Sequence, residues 1–171
     1  MNTKTVDASA FFYIDGIPTK GCWVDLDAST TWETIADAIR AAIPGAVVDE
    51  ILCADAEGTA RHFLSRYDCF SLSEWQAWAE AVERSSYAPE IIALYCDNIG
   101  DWTPEAVEAA EQNYWGEHDS RADFAAELLE GSGELASIPE SLRYYFDYDK
   151  YASDLLSGDF FECEGHYFRN H

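Results

Sequence analysis

Three groups of residues in this chain have types and spacing that could do chemistry. Cys163, His166 and His171 are spaced to contribute to a zinc site, although no fourth ligand is evident. Asp147-x-Asp149 resembles the opening of a calcium-binding loop. The sixth position of that loop falls on Ala152, where glycine is required, and its twelfth on Gly158, where a glutamate is required, so a calcium site is not expected. The third group is a dense set of carboxylates between Thr103 and Leu156: Glu105, Glu108, Glu111, Glu117, Asp119, Asp123, Glu127, Glu130, Glu140, Asp147, Asp149 and Asp154. Two carboxylates meeting across a cleft could catalyse hydrolysis, but nothing in the sequence brings a particular pair together. No phosphate-binding loop, dinucleotide fingerprint, His-Glu-x-x-His, Cys-x-x-Cys or Gly-x-Ser-x-Gly element is present. The chemistry these residues point to is electrostatic recognition rather than catalysis or metal binding.

The carboxylates sit on segments with helical spacing. Thr103 suits an N-cap and Pro104 a first helical position, and Ala106, Val107, Ala110 and Tyr114 recur at helical intervals. Glu105, Glu108 and Glu111 line the opposite side. Ser120 and Asp123 resemble a capping box before a second apolar stripe of Phe124, Leu128 and Leu129, with Asp123, Glu127 and Glu130 opposite it. A third helix is expected to start at Pro139 and to bury Leu142, Phe146, Ala152 and Leu155, leaving Glu140, Asp147, Asp149 and Asp154 in solvent. Like charges at i, i+4 destabilise a helix by about 0.2–0.5 kcal/mol per pair, and interspersed lysine or arginine would relieve this. These helices mostly omit the remedy, and Glu111, Glu130 and Asp154 lie too far from a helix start to gain from its dipole. Stability alone does not explain them.

Composition narrows the function classes. The chain has 33 acidic and 10 basic residues among 171, a formal net charge of -23, and residues 101–171 alone carry 17 acids and four bases. Such charge repels nucleic acid and anionic membranes and attracts basic surfaces. A halophilic or merely soluble surface is the plainer reading, and the three lysines would fit it. Six Trp, ten Tyr and nine Phe, with charge concentrated at one end, do not. A content of 48% hydrophobic and 15% aromatic residues is enough for a folded core. Cys22, Cys53, Cys69, Cys96 and Cys163 are odd in number and never closely paired, which points to reduced thiols in a cytoplasm. No signal peptide or membrane-spanning run is visible.

Before the acidic region, Phe11–Asp15 and Cys22–Leu26 read as strands. Thr30 and Glu33 form a capping box for a helix through Ile35, Ile39 and Ile43, and Val47–Ala54 reads as a third strand. Ser71 with Glu74 caps a helix in which Trp75 and Trp78 belong to the core, and Pro89 opens another through Ile92, Leu94 and Tyr95. Asp159–Glu164 and His166–Asn170 form a terminal hairpin about Glu164-Gly165. The predicted class is α+β: a small antiparallel-sheet domain over residues 1–60, a helical domain over 61–102, and an acidic α+β domain over 103–171 that ends in the hairpin.

An acidic surface on rigid helices can imitate DNA. Duplex DNA carries one negative charge per ~1.7 Å of axis, so the net charge of this chain corresponds to roughly 40 Å of duplex. Carboxylates on fixed helices would meet the lysines and arginines of a DNA-binding protein, without any dependence on its recognition sequence.

The runs Ile138-Pro139-Glu140-Ser141-Leu142-Arg143-Tyr144-Tyr145-Phe146-Asp147-Tyr148-Asp149, Asp154-Leu155, Gly158-Asp159-Phe160-Phe161 and Phe168-Arg169-Asn170-His171 resemble the ArdA antirestriction proteins. Gly21-x-Trp23-Val24-Asp25, Asp55-x-Glu57-Gly58, Leu72-Ser73-Glu74 and Asn113-Tyr114-x-Gly116 add to the likeness, as does Asp123-Phe124-Ala125-x-Glu127-Leu128. The resemblance implies an elongated, three-domain, non-catalytic homodimer from a mobile element. It would mimic bent B-form DNA and block type I restriction-modification enzymes by occupying their DNA groove. Asn113, Tyr114, Trp115 and Gly116, aromatic and turn-like between acidic helices, are the candidate dimer contact, with packing inside one chain as the alternative. Two readings from other classes stand beside this one. An acidic adaptor or chaperone for a basic host protein would cluster its carboxylates in one patch, and a carboxylate hydrolase would need a concave pocket.

Overall fold

The computed structural model describes residues 6–170, with the side chains of Glu134 and Ser137 also left undescribed. It is a mixed α+β structure in which the chain forms two compact units, Met1–Glu108 and Ala109–His171. The sheet and the middle helices expected as separate domains both lie within the first unit.

Unit one is built on β1 (Ala8–Ile14), which pairs antiparallel with β2 (Gly21–Asp25) on one side and with β3 (Ile51–Gly58) on the other. Between β2 and β3 comes α1 (Trp32–Ala42), which buries Ile35, Ala36 and Ile39. Its capping box falls one residue later than the sequence suggested. Thr31 accepts from Thr34 N and Thr34 Oγ1 from Thr31 N, because Thr30 is buried with its hydroxyl on Asp27. The third strand is Ile51–Gly58 rather than 47–54, so Val47 is left exposed.

Helix α2 (Leu72–Arg84) buries Trp75 and Trp78, as their i, i+3 spacing predicts. Ser71 precedes it but makes no side-chain capping bond. Phe63 meets Trp75 edge-on at 5.5 Å and Trp102 at 6.4 Å, while Phe12 of β1 meets Phe70 at 5.6 Å. Phe63 and Phe70 both lie between β3 and α2, so these contacts join that segment to the helix and to the sheet. Helix α3 (Pro89–Ile99) starts at its proline and ends on Gly100 at φ 70°, a left-handed terminus that suits glycine. It buries Ile92, Tyr95 and Cys96 and leaves Leu94 half-buried.

Helix α4 (Pro104–Asn113) runs across the boundary between the units and leads directly into β4 (Tyr114–Glu117). Then come α5 (Arg121–Ser132), α6 (Glu140–Arg143), α7 (Tyr148–Leu155), β5 (Phe160–Cys163) and β6 (His166–Arg169). The terminal hairpin forms as expected. Glu164 at φ 53° and Gly165 at φ 85° supply the two positive φ values of a tight hairpin turn. The hairpin belongs to a three-stranded sheet of order β4-β6-β5.

Phe124 of α5 is the centre of the second unit. Its ring stacks on Tyr167 at 4.2 Å, meets Phe160 at 5.1 Å, and is surrounded by Leu128, Leu155 and Leu156. Burial pushes the Tyr167 phenol pKa up from its ordinary value. Truncating Phe124 to alanine is expected to destabilise the fold by about 3–5 kcal/mol. Chemical denaturation should show an earlier midpoint, with loss of the near-ultraviolet signal from Tyr167.

Candidate functional site

On α4 the cap is as the sequence reads: Thr103 Oγ1 accepts from Ala106 N at 3.3 Å. Ala106, Val107 and Ala110 are buried, and Glu105 and Glu108 are exposed on the other side. Glu111 departs from the expectation. It follows the buried Val107 by four residues, sits at the border of the apolar stripe, and is half-buried. The displayed row on this helix is therefore shorter than its sequence spacing suggested.

Ser120 holds the start of α5 from both sides. Its oxygen accepts from Asp123 N at 3.1 Å, and its hydroxyl donates to Asp123 Oδ2 at 2.5 Å. Phe124, Ala125 and Leu129 face the core, and Asp123, Glu127 and Glu130 are exposed. Seven residues at a rise of ~1.5 Å place these three carboxylates along about 10 Å of helix. Glu117 at the end of β4 and Asp119 in the following turn are exposed as well. Glu127 Oε2 lies 3.8 Å from Nδ1 of His118, whose ring lies edge-on to Phe124 and Tyr167.

The single helix expected from Pro139 is instead two short ones. Asp147 breaks it by capping α7, its Oδ1 accepting from Lys150 N at 3.0 Å. Leu142, expected in the core, is 55% exposed, Phe146 and Leu155 are half-buried, and Ala152 is buried. Glu140, Asp147, Asp149 and Asp154 are exposed. Two cations that interrupt the acids in sequence have other partners. Arg143 Nε donates to the Ile138 carbonyl at 3.0 Å, and the Arg169 guanidinium lies over Trp115 at 5.7 Å and Phe160 at 5.5 Å.

The stretch from Asn113 to Gly116 is largely taken up within the chain. Asn113 is buried, and Tyr114 bonds His166 Nδ1 through its hydroxyl at 2.9 Å and packs on Phe168 at 5.3 Å. The register of β4 on β6 shifts between Tyr114 and Gly116. Trp115 remains 38% exposed, on a strand at one edge of the sheet. A four-residue strand directly abutting a helix carries no turn residue between the two, so the sequence offered no punctuation by which to find it.

Cys163 and His166 are register partners across the hairpin, but His171 lies outside the described residues. No group of three potential metal ligands occurs among the described residues. Among the described residues of the first unit are two cavities of about 360 and 440 Å³. Glu74 is the carboxylate lining both, whereas acid–base hydrolysis requires two. In the larger one His62 stacks on Trp102 at 3.8 Å, and burial, with the neighbouring Arg61, lowers its pKa. It is therefore mostly neutral at neutral pH, and its approach to Asp97 at 3.6 Å is then not an ion pair.

Two features of the surface escaped the sequence reading. Asp159, Glu162 and Glu164 on and beside the hairpin are exposed acids of the same kind, passed over because the segment read as β structure. Tyr144 and Tyr145 are 88% and 78% exposed, where helical periodicity suggested a continuous packed helix.

The second unit is thus a small α+β body with an aromatic interior and a surface of exposed carboxylates. Residues 12–169 match the family described as antirestriction protein (ArdA), and the chain belongs to that family. A comparison with curated proteins returned no match. No helix among the described residues is long and apolar enough to cross a membrane.

Because Asp147 both displays charge and caps α7, its substitutions separate the two roles. Asp147→Ala is expected to lose about 0.5–2 kcal/mol, whereas Asp147→Asn keeps the cap and should lose far less. Thermal unfolding of the two variants, with Asp149→Ala as a control outside the cap, checks this.

Proposed function

We propose that this protein mimics B-form DNA and inhibits type I restriction-modification enzymes by occupying the DNA-binding groove of their methyltransferase core. It acts by stoichiometric binding in the cytoplasm, with no catalysis and no cofactor. Membership of the antirestriction family supports the class of target. The observation that carries the mechanism is the state of the carboxylates. Eleven of the twelve candidate residues are exposed, Glu111 being the half-buried one, and Glu127 Oε2 lies 3.8 Å from His118 Nδ1. Exposed carboxylates on a folded scaffold are available to the cations of another protein, and a basic groove supplies them densely. We retain the division at residues 60 and 102 as part of this proposal.

We also propose that the chain acts as a homodimer through β4, with Trp115 as the contact residue. Support comes from the position of β4 at the edge of its sheet and the exposure of Trp115. Replacement of Trp115 by lysine should lower the sedimenting mass from two chains to one at micromolar concentration. An unchanged mass would return the 113–116 stretch to a purely internal role.

An acidic adaptor for a basic host protein is the alternative, and graded neutralisation distinguishes the two. Glu105→Gln, Glu127→Gln or Glu130→Gln alone should weaken displacement of duplex DNA from the methyltransferase core only a few-fold, because the attraction is spread over many sites. Reversal of five or six of these acids to lysine should abolish it. A single neutralisation that eliminated displacement would contradict distributed mimicry. Wild-type protein that bound a basic host factor but left DNA on the core would favour the adaptor.

A further inference from the structure

The most exposed large hydrophobic side chains among the described residues of the acidic unit are aromatic. Tyr144 and Tyr145 are 88% and 78% exposed, their rings perpendicular at 5.4 Å, and Leu142 beside them is 55% exposed. They are held in place by a bonded turn. Leu142 N donates to Pro139 O, Tyr145 N to Leu142 O and Phe146 N to Arg143 O, at 2.8 to 3.1 Å. At one side Arg143 is tied to the Ile138 carbonyl at 3.0 Å, and at the other Phe146 packs against Tyr148 at 5.0 Å and Tyr151 at 5.8 Å. The two tyrosines therefore project from a fixed support, bracketed in sequence by the exposed Glu140, Asp147 and Asp149.

Charge selects what can cover such a patch. A second copy placed here about a two-fold axis would bring the same acids against themselves, since the same surface serves both partners. A basic surface meets no such repulsion. Arginine suits the arrangement best: its guanidinium can lie on a tyrosine face while its N–H groups reach a neighbouring carboxylate. The chain already uses the first half of that chemistry internally, in Arg169 over Trp115 and Phe160. Tyrosine and arginine are also the residues in which interface energy concentrates.

We propose that the turn from Leu142 to Tyr145 is the uncharged anchor of the surface that enters the target's basic groove, with Tyr144 and Tyr145 receiving arginine side chains of that groove. This rests on the DNA-mimic reading and adds to it a specific contact that is not a phosphate substitute. Such a contact releases no counterions, so it strengthens binding equally at all salt concentrations, whereas the carboxylates set the salt slope.

Affinity for a purified type I methyltransferase core, titrated between low and high salt, separates the two contributions. The variant Tyr144→Ala/Tyr145→Ala should bind about 30-fold or more weaker at every salt concentration, with the slope of log K against log salt unchanged. Tyr144→Phe/Tyr145→Phe should bind nearly as the wild type does. Both variants alter exposed side chains, and circular dichroism checks that the fold is kept. Binding of the double-alanine variant within threefold of wild type would overturn the anchor while leaving mimicry standing. A changed slope, or a fall in sedimenting mass, would also overturn it, assigning the tyrosines to charge presentation or to a second copy. Wild-type protein that failed to bind the core at any salt would overturn the mimic reading, and the anchor with it.

Discussion

The stack of Phe124 on Tyr167, closed by Phe160 and by Leu128, Leu155 and Leu156, is the interaction on which the second unit depends. Residues 101–171 carry 17 acids against four bases, so mutual repulsion of the surface works against every compact arrangement. Two of the four bases do little to offset it, since Arg143 donates to the Ile138 carbonyl and Arg169 lies over Trp115 and Phe160. The restoring force is apolar. Aromatic side chains bury large areas and gain further from stacked and edge-on geometry, which is why a segment so acidic is also rich in Phe and Tyr.

The division of labour explains where charge and structure coincide and where they part. Asp123 and Asp147 sit at helix starts, where a carboxylate is stabilised by backbone N–H groups and by the helix dipole. Glu105 and Asp149 share the favourable first turn. Glu130 and Asp154 lie near helix ends, where negative charge is disfavoured. Their presence has a physical cost, and the proposed recognition of a basic partner is a reason to keep them there.

Much of this was legible in the sequence, because several elements are marked by residues with one structural meaning. Pro89 and Pro104 open helices, Gly100 closes one, Glu164-Gly165 makes the hairpin, and Trp75 and Trp78 at i, i+3 lie in the core. The errors share a cause: local signals compete with tertiary context. Thr30 looked like the cap of the first helix until Asp27 claimed its hydroxyl, which moved the cap to Thr31. The apolar spacing from Leu142 to Leu155 fits one helix, but Asp147 starts a new one and turns Leu142, Tyr144 and Tyr145 outward. Glu111 shows the same limit on the charge track, since an i, i+6 step drifts round the helix toward the buried face. The acids could be counted from sequence, but which ones reach solvent depended on packing.

The central claim is that exposed carboxylates on a folded scaffold stand in for DNA phosphates. The most direct measurement is the salt dependence of the equilibrium between wild-type protein and a purified type I methyltransferase core, taken alongside that of the core with duplex DNA. Phosphate contacts make log K fall with log salt at a slope of about -0.9 per contact neutralised. The account predicts stoichiometric binding with a steep negative slope, parallel to that of the duplex. Tight binding that is flat with salt would contradict it, because charge would then not be what the enzyme reads.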